Sequence, residues 1–238
     1  MKILGIDTST MAANVAVLED DKLICEYSVN TKKTHSQKLM PMMENMLNLS
    51  DIDITEIDAI GICVGPGSFT GLRIGMATAK AMAHVNNIPI IGVNSLEILG
   101  ENMNLCSKKI CSILDAQRNQ VYTAKYILED NKIKEVEEVS IAQIDNLLQE
   151  LEATKEEWVI IGEAVYKYKD KIENISNITM SSPVNNITKA SSLCTIARNK
   201  MMENKDIHNC YDINPMYIRK SQAEEQYEEK QKRLRDGK

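Results

Sequence analysis

The two halves of this chain carry the same short pattern, and this internal repeat restricts the possible folds most strongly. A β-type run ends on Asp7 in the first half and on Asp115 in the second. A polar hairpin turn follows each run, at residues 18–23 and again at residues 128–133. The aspartates are 108 residues apart and the turns 110. Agreement in both order and spacing favours duplication of one structural unit.

Each copy of the unit is predicted to contain three strands, a helix, a strand and a helix. Strands that alternate with helices after an antiparallel meander are typical of an α/β protein whose mixed sheet is covered by helices. The predicted strands lie at residues 2–6, 12–18, 22–29, 57–64, 89–93, 109–115 and 158–162, with two more flanking the second turn. The predicted helices lie at residues 36–49, 70–87, 140–151 and 189–202, with another opening at 94–97 and Thr188 as the cap of the last.

The repeat divides the chain into two predicted domains. They comprise residues 1–103, with the helices proposed for dimerisation, and residues 104–221. Residues 222–238 form a third, strongly charged segment, which we interpret as a solvated tail.

Charge and aromatic content argue against unaided binding of nucleic acid. The 238 residues carry a formal net charge of −6, and only 4% are aromatic. Neutralising phosphates requires a basic face, and stacking single-stranded bases requires exposed aromatic rings. The six cysteines are scattered without a C-x-x-C pair, so neither a zinc ribbon nor a disulfide framework is expected. With no secretory signal and no long apolar run, the expected location is the cytoplasm, without a membrane partner.

A glycine-rich turn, Gly65-Pro66-Gly67-Ser68, precedes a predicted helix and could bind an anion at the helix N-terminus. It lacks the Gly-Lys-Ser/Thr of a phosphate-binding loop. Two interpretations stay open: a weak nucleotide contact, or a turn whose glycines merely let the helix pack on the sheet. The residues proposed for the nucleotide contact are Asp7, Thr8, Ser9, Gly65, Gly67 and Ser68.

No catalytic or metal-binding pattern stands out in the sequence. The three histidines, His35, His84 and His208, have no H-x-x-x-H spacing, and no Gly-x-Ser-x-Gly is present at Ser68. We therefore predict no catalytic residue and no metal ligand.

The helices at 36–49 and 70–87 hold six of the 13 methionines, and the first is apolar over more than one stripe. A helix needs one apolar face for its own core, so the surplus suggests contact with another protein. The alternative is that all these side chains are core. The residues proposed for the interface are Leu39, Met42, Met43, Met46, Leu47, Leu72, Ile74 and Met76.

Five motifs in fixed order resemble the TsaB (YeaZ) family, whose members are subunits of the bacterial tRNA threonylcarbamoyladenosine machinery. The most specific is the run from Gly65 to Gly75, GPGSFTGLRIG, and the resemblance extends to about residue 223. It implies a duplicated actin/Hsp70/sugar-kinase-like (ASKHA, RNase H-like) fold with two lobes. The other motifs are ILGIDTS at residues 3–9, His35-Ser36, LDAQRNQVY at residues 114–122 and Pro215-Met216-Tyr217-Ile218-Arg219.

The resemblance also implies a division of labour with a catalytic relative, TsaD. That relative has His-Leu-Glu-Gly-His where this chain has Ser95-Leu96-Glu97-Ile98-Leu99, so Ser95 and Leu99 replace both metal-binding histidines. Leucine offers no lone pair to a metal. Gln117 is a further departure, because relatives often have arginine there.

By this resemblance, the chain is expected to be a non-catalytic scaffold subunit. It would pair with TsaD through the two methionine-rich helices, and the ATPase TsaE would join them. The complex transfers threonylcarbamoyl from threonylcarbamoyl-AMP to the adenosine beside the tRNA anticodon. The isolated subunit would form a homodimer, contact tRNA only within the complex and bind no cofactor beyond a weak ATP or ADP contact at the junction. A small ATP-dependent phosphotransferase of the sugar-kinase fold is the alternative, and a metallopeptidase a more distant one.

Overall fold

The computed structural model describes residues 1–130 and 132–219 and contains two β-sheets. The predicted tail, 222–238, lies outside the described residues. The strands of the first sheet are β1 (Lys2–Asp7), β2 (Ala12–Glu19), β3 (Lys22–Asn30), β4 (Ala59–Gly65), β5 (Ile90–Asn94) and β11 (Ile207–His208). Those of the second are β6 (Lys109–Asp115), β7 (Gln120–Glu129), β8 (Lys132–Gln143), β9 (Trp158–Ile161) and β10 (Ile178–Met180).

Seven helices cover these sheets within the described part of the chain, together with one short 3₁₀ turn at Ile54–Glu56. The first helix begins after Thr34, which forms a reciprocal capping box with Gln37. The helices are α1 (His35–Leu49), α2 (Phe69–Asn86), α3 (Ser95–Glu101), α4 (Ile144–Ala153), α5 (Ala164–Lys167), α6 (Lys169–Ile172) and α7 (Ala190–Met202).

The strand orders confirm the predicted duplication. The first sheet runs β11-β5-β4-β1-β2-β3 and the second β10-β9-β6-β7-β8. In each copy the first strand pairs antiparallel with the second and parallel with the fourth. The fold is therefore a mixed α/β fold built from two related units, as the repeat indicated.

Both faces of the first sheet are covered, and successive residues of a strand serve different cores. On one face, Leu4 and Ile6 of β1 pack with side chains of α1 and α2. On the other, Ile3 packs with Leu193 and Ala197 of α7. This alternation follows from the two-residue period of a β-strand.

Two helices cross between the sheets. Helix α7 follows the second sheet in the chain but packs on the first, and α3 follows the first but packs against β6 of the second. The division of the chain near residue 103 stays a prediction, and these helices bind the two halves together.

Two predicted boundaries are wrong, and each has a tertiary cause. Residues 140–143 belong to β8 because they pair with the start of β7, so the helix begins at Ile144. Thr188 does not cap α7. Instead Glu26 of β3 accepts hydrogen bonds from the Ser191 backbone N–H (2.8 Å) and hydroxyl (2.9 Å). A carboxylate distant in sequence thus caps this helix, where negative charge is favourable.

Among residues 1–130 and 132–219, none of the helices combines the length and the apolar character needed to cross a membrane.

Candidate functional site

A cleft of about 860 Å³ lies where the loops of the two sheets meet. One wall is formed by the turn after β1 and the glycine-rich turn before α2. The opposite wall is formed by the turn after β6, together with Glu163. Residues 216–219 complete the lining. We call the first sheet and the helices packed on it the first lobe, and the second sheet with its helices the second lobe. A concave site between two lobes is the usual place for a ligand in an α/β protein.

Asp7, at the end of β1, is fully buried and held by three donors from this chain. The Ser9 backbone N–H donates to Oδ1 (2.8 Å), and Asn14 Nδ2 donates to Oδ2 (3.4 Å). The Thr188 hydroxyl also donates to Oδ2, which explains why Thr188 is not a helix cap. The carboxylate therefore fixes the turn after β1 against the segment that leads into α7.

The turn after β1 is in direct contact with the glycine-rich turn. The Ser68 N–H donates to the Ser9 carbonyl (2.6 Å), and the Thr8 hydroxyl donates to the Gly71 carbonyl (2.8 Å). A Cβ at Gly67 would lie 2.2 Å from the Ser9 oxygen, and one at Gly71 would lie 2.0 Å from the Thr8 oxygen. These glycines therefore allow the start of α2 to pack on the turn after β1, in agreement with the packing interpretation of the motif.

Of the residues predicted for a nucleotide contact, the structure leaves only Gly67 and Ser68 accessible. Asp7, Thr8, Ser9 and Gly65 are buried. Ser68 caps α2, its Oγ accepting from the Gly71 N–H at 3.2 Å. The nucleotide contact stays a prediction, and any such contact would be confined to this rim.

The Gly71→Ala variant is expected to lower the free energy of unfolding by about 1–3 kcal/mol, because the added methyl forces two backbone segments apart. Alanine elsewhere in a helix stabilises it by roughly 0.5–1 kcal/mol relative to glycine, so the sign separates the two effects. Urea unfolding followed by circular dichroism measures the change. Thr70→Ala, at an exposed site in the same helical turn, is the control and should stay within about 0.5 kcal/mol of the wild type. Equal or greater stability of Gly71→Ala would contradict the close approach.

Acidic side chains from the second lobe line the opposite wall. Asp115 pairs with Lys167 (2.9 and 3.1 Å), and this bond raises the pKa of the lysine. Burial raises the pKa of Glu163, and the negative charges of Asp115 and Asp7 add to the effect. Glu163 was not predicted from the sequence, and its only local signal is its position two residues after Ile161, the last residue of β9.

His35 and Lys38, at the start of α1, contact backbone carbonyl oxygens near the rim of the cleft. His35 Nε2 lies 2.9 Å from the Thr10 carbonyl oxygen, and Lys38 Nζ donates to the carbonyls of Met11 (3.0 Å) and Val29 (3.1 Å). Burial lowers the pKa of both groups, and the Lys38 charge adds to the effect on His35. Lys38 was not predicted from the sequence because a lysine on a helix usually faces solvent.

Most of the eight residues predicted for the partner interface are buried within this chain, and their role in an interface stays a prediction. Met43 and Met46 are 1% and 0% exposed and pack with β2 and β4 side chains in the core. Leu39, Met42, Leu72 and Met76 are also buried, while Leu47 and Ile74 are half-buried. The physical reason is that α1 contacts β2, β3 and α2 at once, so its wide apolar stripe is covered by other parts of the same chain.

Ser95 and Leu99 both lie on α3, and both are fully buried. The Ser95 hydroxyl donates to the Pro66 carbonyl (2.6 Å), which links α3 to the glycine-rich turn. Leu99 packs with Leu114 and Ile161 of the second lobe. Over the residues that the structure describes, no group of three or more metal-ligating side chains comes together.

The duplicated units, the helices that cross between them and the cleft define a two-lobed protein of the actin/Hsp70/sugar-kinase-like class. The TsaD family model, described as tRNA N6-adenosine threonylcarbamoyltransferase, matches residues 25–227. The tRNA threonylcarbamoyladenosine biosynthesis protein TsaB of Bacillus subtilis (strain 168) is 32% identical, over 98% of this chain and 100% of that protein. This chain belongs to the TsaB members of that family.

Two further comparisons agree with this assignment. The tRNA threonylcarbamoyladenosine biosynthesis protein TsaB of Escherichia coli (strain K12) is 28% identical, over 94% of this chain and 96% of that protein. The solved structure of YeaZ from Pseudomonas aeruginosa superposes with a TM-score of 0.76 at 21% identity, covering 91% of this chain and 99% of that one. The structural match supports the fold.

Proposed function

We propose that this chain is the accessory subunit of a tRNA threonylcarbamoyladenosine complex. It binds a catalytic TsaD subunit and activates it to transfer threonylcarbamoyl from threonylcarbamoyl-AMP to the adenosine beside the anticodon. The ATPase TsaE joins the complex, and tRNA contacts this chain only within it. In isolation the chain forms a homodimer.

The packing of Ser95 and Leu99 on α3 is the observation that supports the non-catalytic part of this proposal. If Ser95 and Leu99 occupy the positions of the two metal-binding histidines of TsaD, neither can serve a metal in this chain. The Ser95 hydroxyl is committed to Pro66, and the Leu99 side chain is enclosed in the core between the lobes. Both side chains therefore serve the internal packing of this chain, and we assign the transfer chemistry to the partner.

The packing of the glycine-rich turn argues against tight binding of a nucleotide. The turn after β1, which would have to approach phosphate groups, is occupied by the start of α2. We therefore assign this chain no tightly bound cofactor, and we place a weak ATP or ADP contact at the junction with TsaD.

Because Met42, Met43, Met46 and Met76 are buried, the proposed partner surface moves to the outer faces of α1 and α2. Ala77 and Ala81 of α2 are exposed, and Val85 is 80% exposed one turn further on. On the neighbouring helix α1, Met40 is 53% exposed. Small and apolar exposed residues let a partner helix approach closely without a desolvation cost.

The Ala77→Glu variant is expected to bind TsaD from the same organism about 100-fold or more weakly, because it buries an unpaired charge in the interface. Its fold should be retained, since Ala77 is exposed in the isolated chain. Isothermal titration calorimetry measures the affinity, and size-exclusion chromatography with light scattering reports the homodimer. Ala153→Glu, at an exposed alanine of α4 in the second lobe, is the matched control and should bind normally. Unchanged affinity of Ala77→Glu would reject this surface, while absence of any wild-type affinity would reject the accessory role.

A further inference from the structure

Residues 213–219, which we call the strap, contain the fifth sequence motif and lie across the cleft. The side chain of Ile213 is buried in the core of the first lobe and anchors the start of the strap. The Met216 N–H then donates to the Val64 carbonyl (2.7 Å) near the end of β4. Asn94, the last residue of β5, has its Nδ2 3.8 Å from Met216 Sδ. The strap thus occupies the carboxyl ends of two parallel strands, where open α/β sheets bind their ligands.

An aromatic contact fixes the middle of the strap to α2. The rings of Tyr217 and Phe69 have centroids 4.7 Å apart, and Arg73 Nε donates to the Tyr217 hydroxyl (3.1 Å). The Arg73 guanidinium also lies 4.0 Å from the centroid of the Phe69 ring. Ring stacking and cation–π contact at a half-exposed site add to the hydrogen bond in holding Tyr217 in place.

The far end of the strap reaches the other lobe. Arg219 Nη1 donates to the Ala116 carbonyl (2.6 Å), in the turn that follows β6 of the second sheet. A hydrogen bond from a charged donor is stronger than one between neutral groups, and this one is partly buried. Within seven residues the chain therefore contacts the glycine-rich side of the cleft and its acidic side.

We propose that the strap is a clamp that holds the two lobes together across the cleft. The GPGSFTGLRIG and PMYIR motifs, far apart in sequence, are the two halves of this device, since Phe69 and Arg73 of the first receive Tyr217 of the second. The clamp acts within the isolated chain, so it does not depend on the proposed partner.

Hydrogen–deuterium exchange on the full-length chain tests the clamp with the variants Tyr217→Ala and Arg219→Ala. Both are expected to speed exchange about tenfold, at the strap and also at residues 115–122 across the cleft. Exchange within β2 should not change, because that strand lies in the core. Tyr211→Ala, which removes a 75% exposed tyrosine just before the strap, is the matched control and should leave residues 115–122 unaffected.

The decisive readout is the effect of Tyr217→Ala at residues 115–122, across the cleft from its contacts with Phe69 and Arg73. Faster exchange at 115–122 with β2 unchanged supports the clamp. Faster exchange confined to the strap and α2 would overturn it, since the lobes would then be held without the strap. An equal rise in β2 would also overturn it, because the residue would then serve general stability.

Discussion

The Met46→Glu variant is expected to unfold or to accumulate in insoluble form. Met46 is completely buried between α1 and the first sheet, among Leu4, Val17 and Ile60. A glutamate there leaves a carboxyl group without a hydrogen-bond partner and forfeits the packing of the thioether. These two effects together cost about 4 kcal/mol or more, a large part of the 5–15 kcal/mol by which domains are typically stable.

The control for this prediction lies on the same helix. Met40 is 53% exposed, so Met40→Glu should change the free energy of unfolding by less than about 0.5 kcal/mol. Thermal unfolding followed by circular dichroism compares the two variants. If Met46→Glu melted with the wild type and lost only its self-association, Met46 would be an interface residue, as its sequence pattern first suggested.

The methionines of α1 show what an apolar pattern in the sequence leaves undecided. An apolar stripe wider than one face indicates that a helix has more than one neighbour. The pattern does not say whether the second neighbour is another protein or another part of the same chain. Here α1 contacts both the sheet and α2, so Met42, Met43 and Met46 are all enclosed.

Regular elements and the duplication could be predicted because their signals are local. The short, nearly continuous apolar runs of β1 and β2 and the polar turn at residues 19–22 predict the first hairpin, and a similar turn around residue 130 predicts the second. The start of α1 was predictable for the same reason, since Thr34 and Gln37 are three residues apart.

The misses depend on residues that are distant in sequence. Glu26 caps α7 across 165 positions, and Thr188 meets Asp7 across 181. No local pattern records such pairs. Likewise, the resemblance singled out Tyr217 and Arg219, but only the three-dimensional structure shows that they span the cleft. The sequence left the role of the glycines in the GPGSFTGLRIG run open. In the structure, a Cβ added at Gly71 would lie 2.0 Å from the Thr8 carbonyl oxygen, which favours the packing role.

Omission of this chain from a reconstituted tRNA modification reaction is expected to abolish product formation. The proposal leaves the chemistry to TsaD and requires this chain to bind it, so neither protein alone should modify tRNA at an appreciable rate. The Ala77→Glu variant should fail to restore activity when it replaces the wild-type chain at the same concentration. Ala153→Glu should restore it fully.

The most direct test measures threonylcarbamoyladenosine in tRNA by mass spectrometry, with TsaD, TsaE, threonylcarbamoyl-AMP and unmodified tRNA present throughout. We expect the modified nucleoside only when this chain is added. Equal yield without it would contradict the accessory role, and product formed by this chain without TsaD would contradict its non-catalytic character.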